Sequence, residues 1–322
     1  EFANLLEQLE STFYLQALAK FKAYDFQAAG FVSPEVPLQQ IEVIASDEIV
    51  HNVTLESAIT ALGGQVTSGC TFNFSAALTD VNTMVATARA LEIVGVAAYL
   101  GALTAVSNPS LVTAAGSIMT VEARHQSILN ILSGQTSIPQ PFDVALQPAE
   151  VLTLAGPFIS GCDLGLSANP PLTVTNSNCL QTGTKLEFSS PVLNGTIPEN
   201  QLSCQIFAGG GVNASISQPI CECAVPANIT GPMFVFITNN EQAMMAESNV
   251  TSKAVVAGPA LVFIDNMPDG IGGLVRPGPN GVIGNATTSS TVQPAVPSSM
   301  TPPTMTLTAG MWVDLYCRTL LL

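Results

Sequence analysis

Charge is what this 322-residue sequence has least of. Asp, Glu, Lys and Arg make up 10% of it, against roughly 25% in ordinary soluble domains. Lys and Arg number 8 against 23 Asp and Glu, for a formal net charge of −15. A chain this poor in cations has no basic patch to neutralise phosphates, which excludes nucleic acid as a partner. It also disfavours an anionic membrane surface. Long apolar runs are scarce as well. The longest charge-free stretch of the helical part, Ile93 to Val121, is cut by Ser107-Asn108-Pro109-Ser110. Each piece falls short of the roughly 20 residues a membrane span needs, so these read as buried helices and no span is expected. Histidine occurs only twice. What is abundant is core-forming material: 47% hydrophobic residues, enough to exclude disorder over the whole chain. The length suggests two domains.

The compartment is written in sequons and cysteines. N-x-Ser/Thr occurs at Asn52, Asn73, Asn194, Asn213, Asn228, Asn249 and Asn285. That density reads as a secreted glycoprotein, extracellular or in a cell wall. The first residue, Glu1, follows no Met, which reads as a removed leader. Seven Cys (70, 162, 179, 204, 221, 223, 317) suit an oxidising compartment. Five lie between 162 and 223, so the disulfides are expected in the second part. The odd number leaves a thiol free or paired between chains.

Texture changes at Ile138-Pro139-Gln140-Pro141. Before it, long helical periods with few prolines predict helices over 2–22, 35–63, 79–106 and 109–134. Pro37 is tolerable in a first turn, Pro109 suits a first helical position, and Gly63-Gly64 suits a stop. After the join, short β-branched runs between Gly, Pro and Asn predict strands over 151–155, 172–175, 185–189, 202–208, 212–217, 233–238 and 254–264. The fold expected is α+β: a four-helix bundle over 1–137, then a β-sandwich of immunoglobulin-like size over 143–268. A Gly/Pro/Ser/Thr-rich spacer follows over 269–303, with the tract Thr287–Pro303 resembling an O-glycosylated stalk. A C-terminal β-strand over 304–322 is expected last, because Met305, Leu307, Ala309, Met311, Val313, Leu315 and Cys317 give one apolar face at period 2 over residues 305–318.

The helical stripes carry the chemistry. Spacings of 3 and 4 place Glu7, Glu10 and Tyr14 on one face of the first helix, and Glu48 and His51 on one face of the second. The same spacing aligns Glu92, Gly95 and Tyr99 on the third, and Glu122 and His125 on the fourth. All lie within apolar stripes, the inward seam of a bundle. An inward carboxylate costs several kcal/mol unless it is paired or bound to a cation. Both His follow a Glu by three residues, so one helix can offer an oxygen and a nitrogen to one ion. The pattern also repeats: Glu-x6-Tyr then Glu-x-x-His, twice. Two such halves about a pseudo-twofold supply four carboxylates and two imidazoles, the donor set of a carboxylate-bridged dinuclear metal site.

With Glu7-Gln-Leu-Glu10-Ser-Thr-Phe-Tyr14, Glu48-Ile-Val-His51, Leu91-Glu92-Ile93 and Glu122-Ala-Arg-His125 in view, the first 135 residues or so resemble the ferritin-like superfamily. Within it they look most like secreted fungal ferritin-like proteins linked to stress or desiccation. The resemblance implies two metal ions, iron first and manganese second, reacting with O₂ or peroxide. It also implies Glu7 with His51 and Glu92 with His125 as terminal ligands, and Glu48 and Glu122 as bridges. Tyr14 and Tyr99 read as hydrogen-bond donors to the ligands, with an electron relay as the alternative. Glu10, whose repeat partner is Gly95, reads as a seventh ligand, a base beside the ligands, or a rim residue.

The second part has no His, so a histidine-ligated copper is excluded there. Cys221-Glu-Cys223 lacks the second cluster that a zinc site needs, and Gly209-Gly210-Gly211 opens no helix. Two functions are carried forward. The first is a secreted di-iron or di-manganese oxidase, ferroxidase or peroxide-reactive protein. The second is an extracellular structural glycoprotein that uses the bundle as scaffold and forms a homo-oligomer or filament by donating its last strand. Asn73, Asn194, Asn213, Asn228, Asn249 and Asn285 are the expected glycan sites. Asn52, beside a core stripe, is expected bare.

Overall fold

The computed structural model describes residues 1–177, 180–209, 215–245, 254–265 and 270–276. All of them belong to one compact unit, Glu1–Gly284. The long helices are α1 (Phe2–Lys20), α3 (Glu35–Ala61), α4 (Val81–Ala102) and α5 (Pro109–Leu132), with a short α2 (Ala23–Ala28) after the first. Their ends follow local chemistry. The Asp80 side chain accepts from Thr83 N at the start of α4, and Asn108 accepts from Ser110 N ahead of Pro109 in α5. α1 packs chiefly on α3, and α4 on α5. α4 with its 3-10 extension to Ala105 is the one described helix long and apolar enough to cross a membrane, and most of it is buried inside the fold.

The expected strand over 151–155 is instead a helix, α6 (Pro148–Ala155). Pro148 takes its first position, and the Gln147 backbone N donates to Glu150 Oε2 at 2.8 Å. Val151, Leu152 and Ala155 then share one buried face. A β-branched apolar run is ambiguous on its own; the capping box settled it.

The β-rich part is antiparallel. Two short ladders pair β1 (Thr71–Phe72) with β2 (Ile159–Ser160), and β3 (Thr173–Val174) with β4 (Phe188–Ser189). The main sheet has the order β6-β5-β7-β8, from β5 (Ser203–Ala208), β6 (Ile216–Pro219), β7 (Gly231–Thr238) and β8 (Val255–Ile264). All eight residues of central β7 are buried. Alternation explains this: Phe234 and Phe236 enter the helical core, while Met233, Val235 and Ile237 enter a second core. That second core is closed by the β3–β4 side, through Leu172, Val174, Leu180 and Leu186. The sandwich's second layer is therefore a two-stranded ladder with loops, and its first layer packs on the helices.

Residues 270–276 lie within the expected spacer, and they form α7 (Gly270–Val275) against the bundle. Val32 N donates to Val275 O, and Arg276 Nη2 to Ala29 O. Buried Arg89 of α4 ties the layers together. Its guanidinium donates twice to Asp265 at 2.8 Å, its Nε donates to Asn130 of α5 at 2.6 Å, and it lies 3.9 Å from the Phe263 ring centroid.

One disulfide, Cys204–Cys223, lies in the sheet region as expected. The other, Cys70–Cys162, crosses from the α3–α4 connection to the chain beyond α6, beside the β1–β2 ladder. Cys221 is free and exposed. Cys179, Cys317, the spacer tract 287–303 and the expected strand 304–322 lie outside the described residues.

Candidate metal centre

The helical register delivers each polar side chain inward. Glu7, Glu48, Glu92 and Glu122 have no exposed surface, Glu10, His51 and His125 are buried as well, and Tyr14 and Tyr99 close the set. His51 Nδ1 lies 3.1 Å from Glu122 Oε1, 3.3 Å from Glu48 Oε2 and 3.4 Å from Glu7 Oε2. His125 Nδ1 lies 2.9 Å from Glu48 Oε1 and 3.3 Å from Glu92 Oε2. Two groups result, Glu7–Glu48–His51–Glu122 and Glu48–Glu92–Glu122–His125. In each group the oxygen and nitrogen atoms lie within 4.8 Å of one another, and Glu48 and Glu122 belong to both.

Each outer carboxylate divides its oxygens. Tyr14 OH donates to Glu92 Oε1, and Tyr99 OH donates to Glu7 Oε1. The second oxygens, Glu7 Oε2 and Glu92 Oε2, are buried with no hydrogen bond. So are Glu48 Oε1, both oxygens of Glu122, and His125 Nδ1. Several lie within contact distance of one another yet lack hydrogen-bond alignment: they point at shared space. Leaving so many buried acceptors unpaired is costly, and a cation in that space answers all of them. No Lys or Arg pairs with these carboxylates among the described residues. The residues present fit a pair of metal ions.

Without metal, protons do the balancing. Burial, then the charges of Glu122, Glu48, Glu7 and Glu92, push Glu10 well above the carboxylate range. Glu122 is pushed up by burial and by Glu48 and Glu92. Glu48 rises to about 7, through burial and Glu92, against the pull of both imidazoles. Burial lowers the imidazoles, but their carboxylate partners outweigh it: Glu122, Glu48 and Glu7 bring His51 to about 12, and Glu48 and Glu92 bring His125 to about 11. Burial and the carboxylates beside them hold both phenols protonated, as donors.

The sequence left three readings of Glu10 open, and burial excludes the rim. Glu10 Oε1 sits 3.1 Å from where a Cβ on Gly95 would be, and Glu122 Oε2 sits 2.9 Å from it. Gly95 is the break in the repeat because these two carboxylates occupy its side-chain space. Asp47 was missed by sequence reading. Its carboxylate lies 3.1 Å from His125 Nε2. The only signal was an acid directly before a candidate ligand, on the flank of the stripe. Among the glycan candidates, Asn73, Asn194 and Asn228 are exposed, whereas Asn213, Asn249 and Asn285 lie outside the described residues.

The family model of the ferritin-like domain matches residues 1–135. No curated protein matches the chain. The first 135 residues are a ferritin-like domain, and its buried acid–imidazole cluster is compatible with a dinuclear metal site.

Proposed function

We propose that this ferritin-like domain holds a dinuclear centre, iron first and manganese second, and that the protein is an oxidoreductase acting on O₂ or peroxide. The observation that carries this reading is the buried cluster of carboxylates and imidazoles that forms two groups sharing Glu48 and Glu122, with inner atoms of Glu7, Glu48, Glu92, Glu122 and His125 left without a hydrogen bond. Glu7 with His51 and Glu92 with His125 would hold one ion each, and Glu48 and Glu122 would bridge. Carboxylate and imidazole together suit iron and manganese. When bound, the pair supplies the electron transfers that side chains cannot. The chain's own part is orientation and exclusion. The phenols of Tyr14 and Tyr99 each hold one oxygen of an outer carboxylate, leaving the other free. The apolar stripes keep water from the inner face.

The test is metal analysis of native protein, with anaerobic Fe(II) loading followed by exposure to O₂ or peroxide. Two ions per chain and oxidant consumption lost in Glu48→Ala are expected. Equimolar or lower metal in careful preparations overturns the reading.

We further place the protein outside the cell, among secreted glycoproteins of the kind its first 135 residues resemble. Support comes from the two disulfides and from sequons at the surface. The extracellular structural role is the second reading, supported by the period-2 apolar face of residues 305–318. Sedimentation of the full chain against one ending at Pro303 tests it: higher-order species lost with the segment support self-association through it, and unchanged species refute it.

A further inference from the structure

The two imidazoles are equivalent in sequence but not in structure. Each follows a shared carboxylate by three residues, and each turns Nδ1 toward the inner oxygens. They differ at the outer nitrogen. His125 Nε2 lies 3.1 Å from Oδ2 of Asp47, on α3. His51 Nε2 has no protein hydrogen-bond partner among the described residues. The repeat accounts for this. Setting Glu48 against Glu122 and His51 against His125 sets Asp47 against Val121, which offers no acceptor.

We propose that Asp47 is a positioning residue that makes the two metal positions unequal. The half containing His125 and Glu92 fills first and holds its ion more tightly; the half containing His51 and Glu7 fills second and exchanges. This rests on the dinuclear reading above.

A ligating imidazole must be neutral, with its proton on the outer nitrogen. A carboxylate there fixes that tautomer, holds the ring plane and makes the inner nitrogen a stronger donor. Asp47 does this for His125 across a helix boundary. The same turn of α3 that carries Glu48 carries the acceptor for the imidazole of α5. A carboxylate shared by both halves and the acceptor that orients His125 thus sit on one piece of backbone. The Asp47 side chain is 42% exposed, so it serves without the cost of a fully buried charge. His51 must give its outer proton to water or leave it unpaired, and its ring orientation rests on inner contacts alone.

The test is a stepwise Co(II) titration of the metal-free full chain against a chromophoric chelator. It is paired with nitrogen NMR of histidine on Zn(II) addition. Wild type is expected to show two steps of unequal affinity, with the His125 resonances shifting at the first equivalent and those of His51 at the second. Asp47→Ala should weaken the first step by about tenfold to a hundredfold and leave the second in place. Asp47→Asn, whose amide oxygen still accepts, should recover part of the loss. Glu42→Ala, removing an exposed acid from the same helix, should move neither step and so separates hydrogen bonding from net charge. Steps of equal affinity in wild type, or His51 shifting first, overturn the proposal without any variant. So does an Asp47→Ala protein whose two steps are unchanged or equally weakened, and in that case two-ion binding itself stands. Wild type that binds fewer than two ions defeats the dinuclear reading and this inference together.

Discussion

Tyr14 of α1 donates a 2.5 Å hydrogen bond to Oε1 of Glu92 on α4, and Tyr99 of α4 returns the same bond to Glu7 of α1. The bonds cross between the two halves of the repeat. Each phenol positions a carboxylate of the other half. Tyr14→Phe removes one donor and strands a buried oxygen, which costs about 1–3 kcal/mol in the metal-free protein. Denaturant unfolding should show that loss. Metal competition should show weaker binding at the Glu92 half, and Tyr99→Phe the corresponding loss at the Glu7 half.

Metal-free stability should fall as pH rises. Glu48 goes from 4.5 to about 7 on folding, and His51 and His125 from 6.5 to about 12 and about 11. All three bind their proton more tightly when folded. Their contribution is complete below the unfolded values and is lost as pH climbs through the folded ones. Glu48 therefore acts between about 4.5 and about 7, and the imidazoles from 6.5 upward. Metal replaces those protons, so affinity should increase with pH. Melting temperature measured from about pH 5 to about pH 9 should fall without metal, while the increment added by metal grows. A metal-free protein that gains stability over that range contradicts the assignment.

Gly95→Ala separates fold from site. Ala favours a helix by about 1 kcal/mol over Gly. Its Cβ would stand 2.9 Å from Glu122 Oε2 and 3.1 Å from Glu10 Oε1. Those carboxylate ends must move, and Glu122 is shared by both groups. Metal content should drop while the circular dichroism spectrum and metal-free melting stay near wild type.

Arg89→Ala does the reverse. It strips Asp265 of its partner, leaves Asn130 Oδ1 with Gln126 Nε2 alone and opens the space over Phe263. Breaking a fully buried ion pair costs about 3–5 kcal/mol. Asp265 is 29% exposed, so about 2 kcal/mol is expected here. Unfolding should report it with metal content unchanged.

Glycopeptide mapping of protein recovered from its native source should find Asn73, Asn194 and Asn228 occupied and Asn52 bare. Asn52 lies within α3, and its side-chain oxygen accepts from Asn4 Nδ2 at 2.7 Å. A glycan there would have to break that contact between helices.

What the sequence by itself determined is what a helical period can carry. Residues 3 or 4 apart share a face, so Glu48 with His51 and Glu122 with His125 were legible as inward pairs before any packing was known. Periodicity likewise placed α4 to within a few residues, and Pro109 marked the start of α5. Period and caps describe one element at a time. The exchange of phenols between Tyr14 and Tyr99, the reach of Asp47 to His125, and Arg89 joining α4 to Asp265 each link elements far apart in the chain. Only the packing of helix on helix and helix on sheet brings such side chains within bonding distance. The same limit explains residues 151–155. A short apolar run satisfies a strand or a helix equally well, and what decided it was the cap at Gln147 and Glu150 together with a helical core waiting to bury one face.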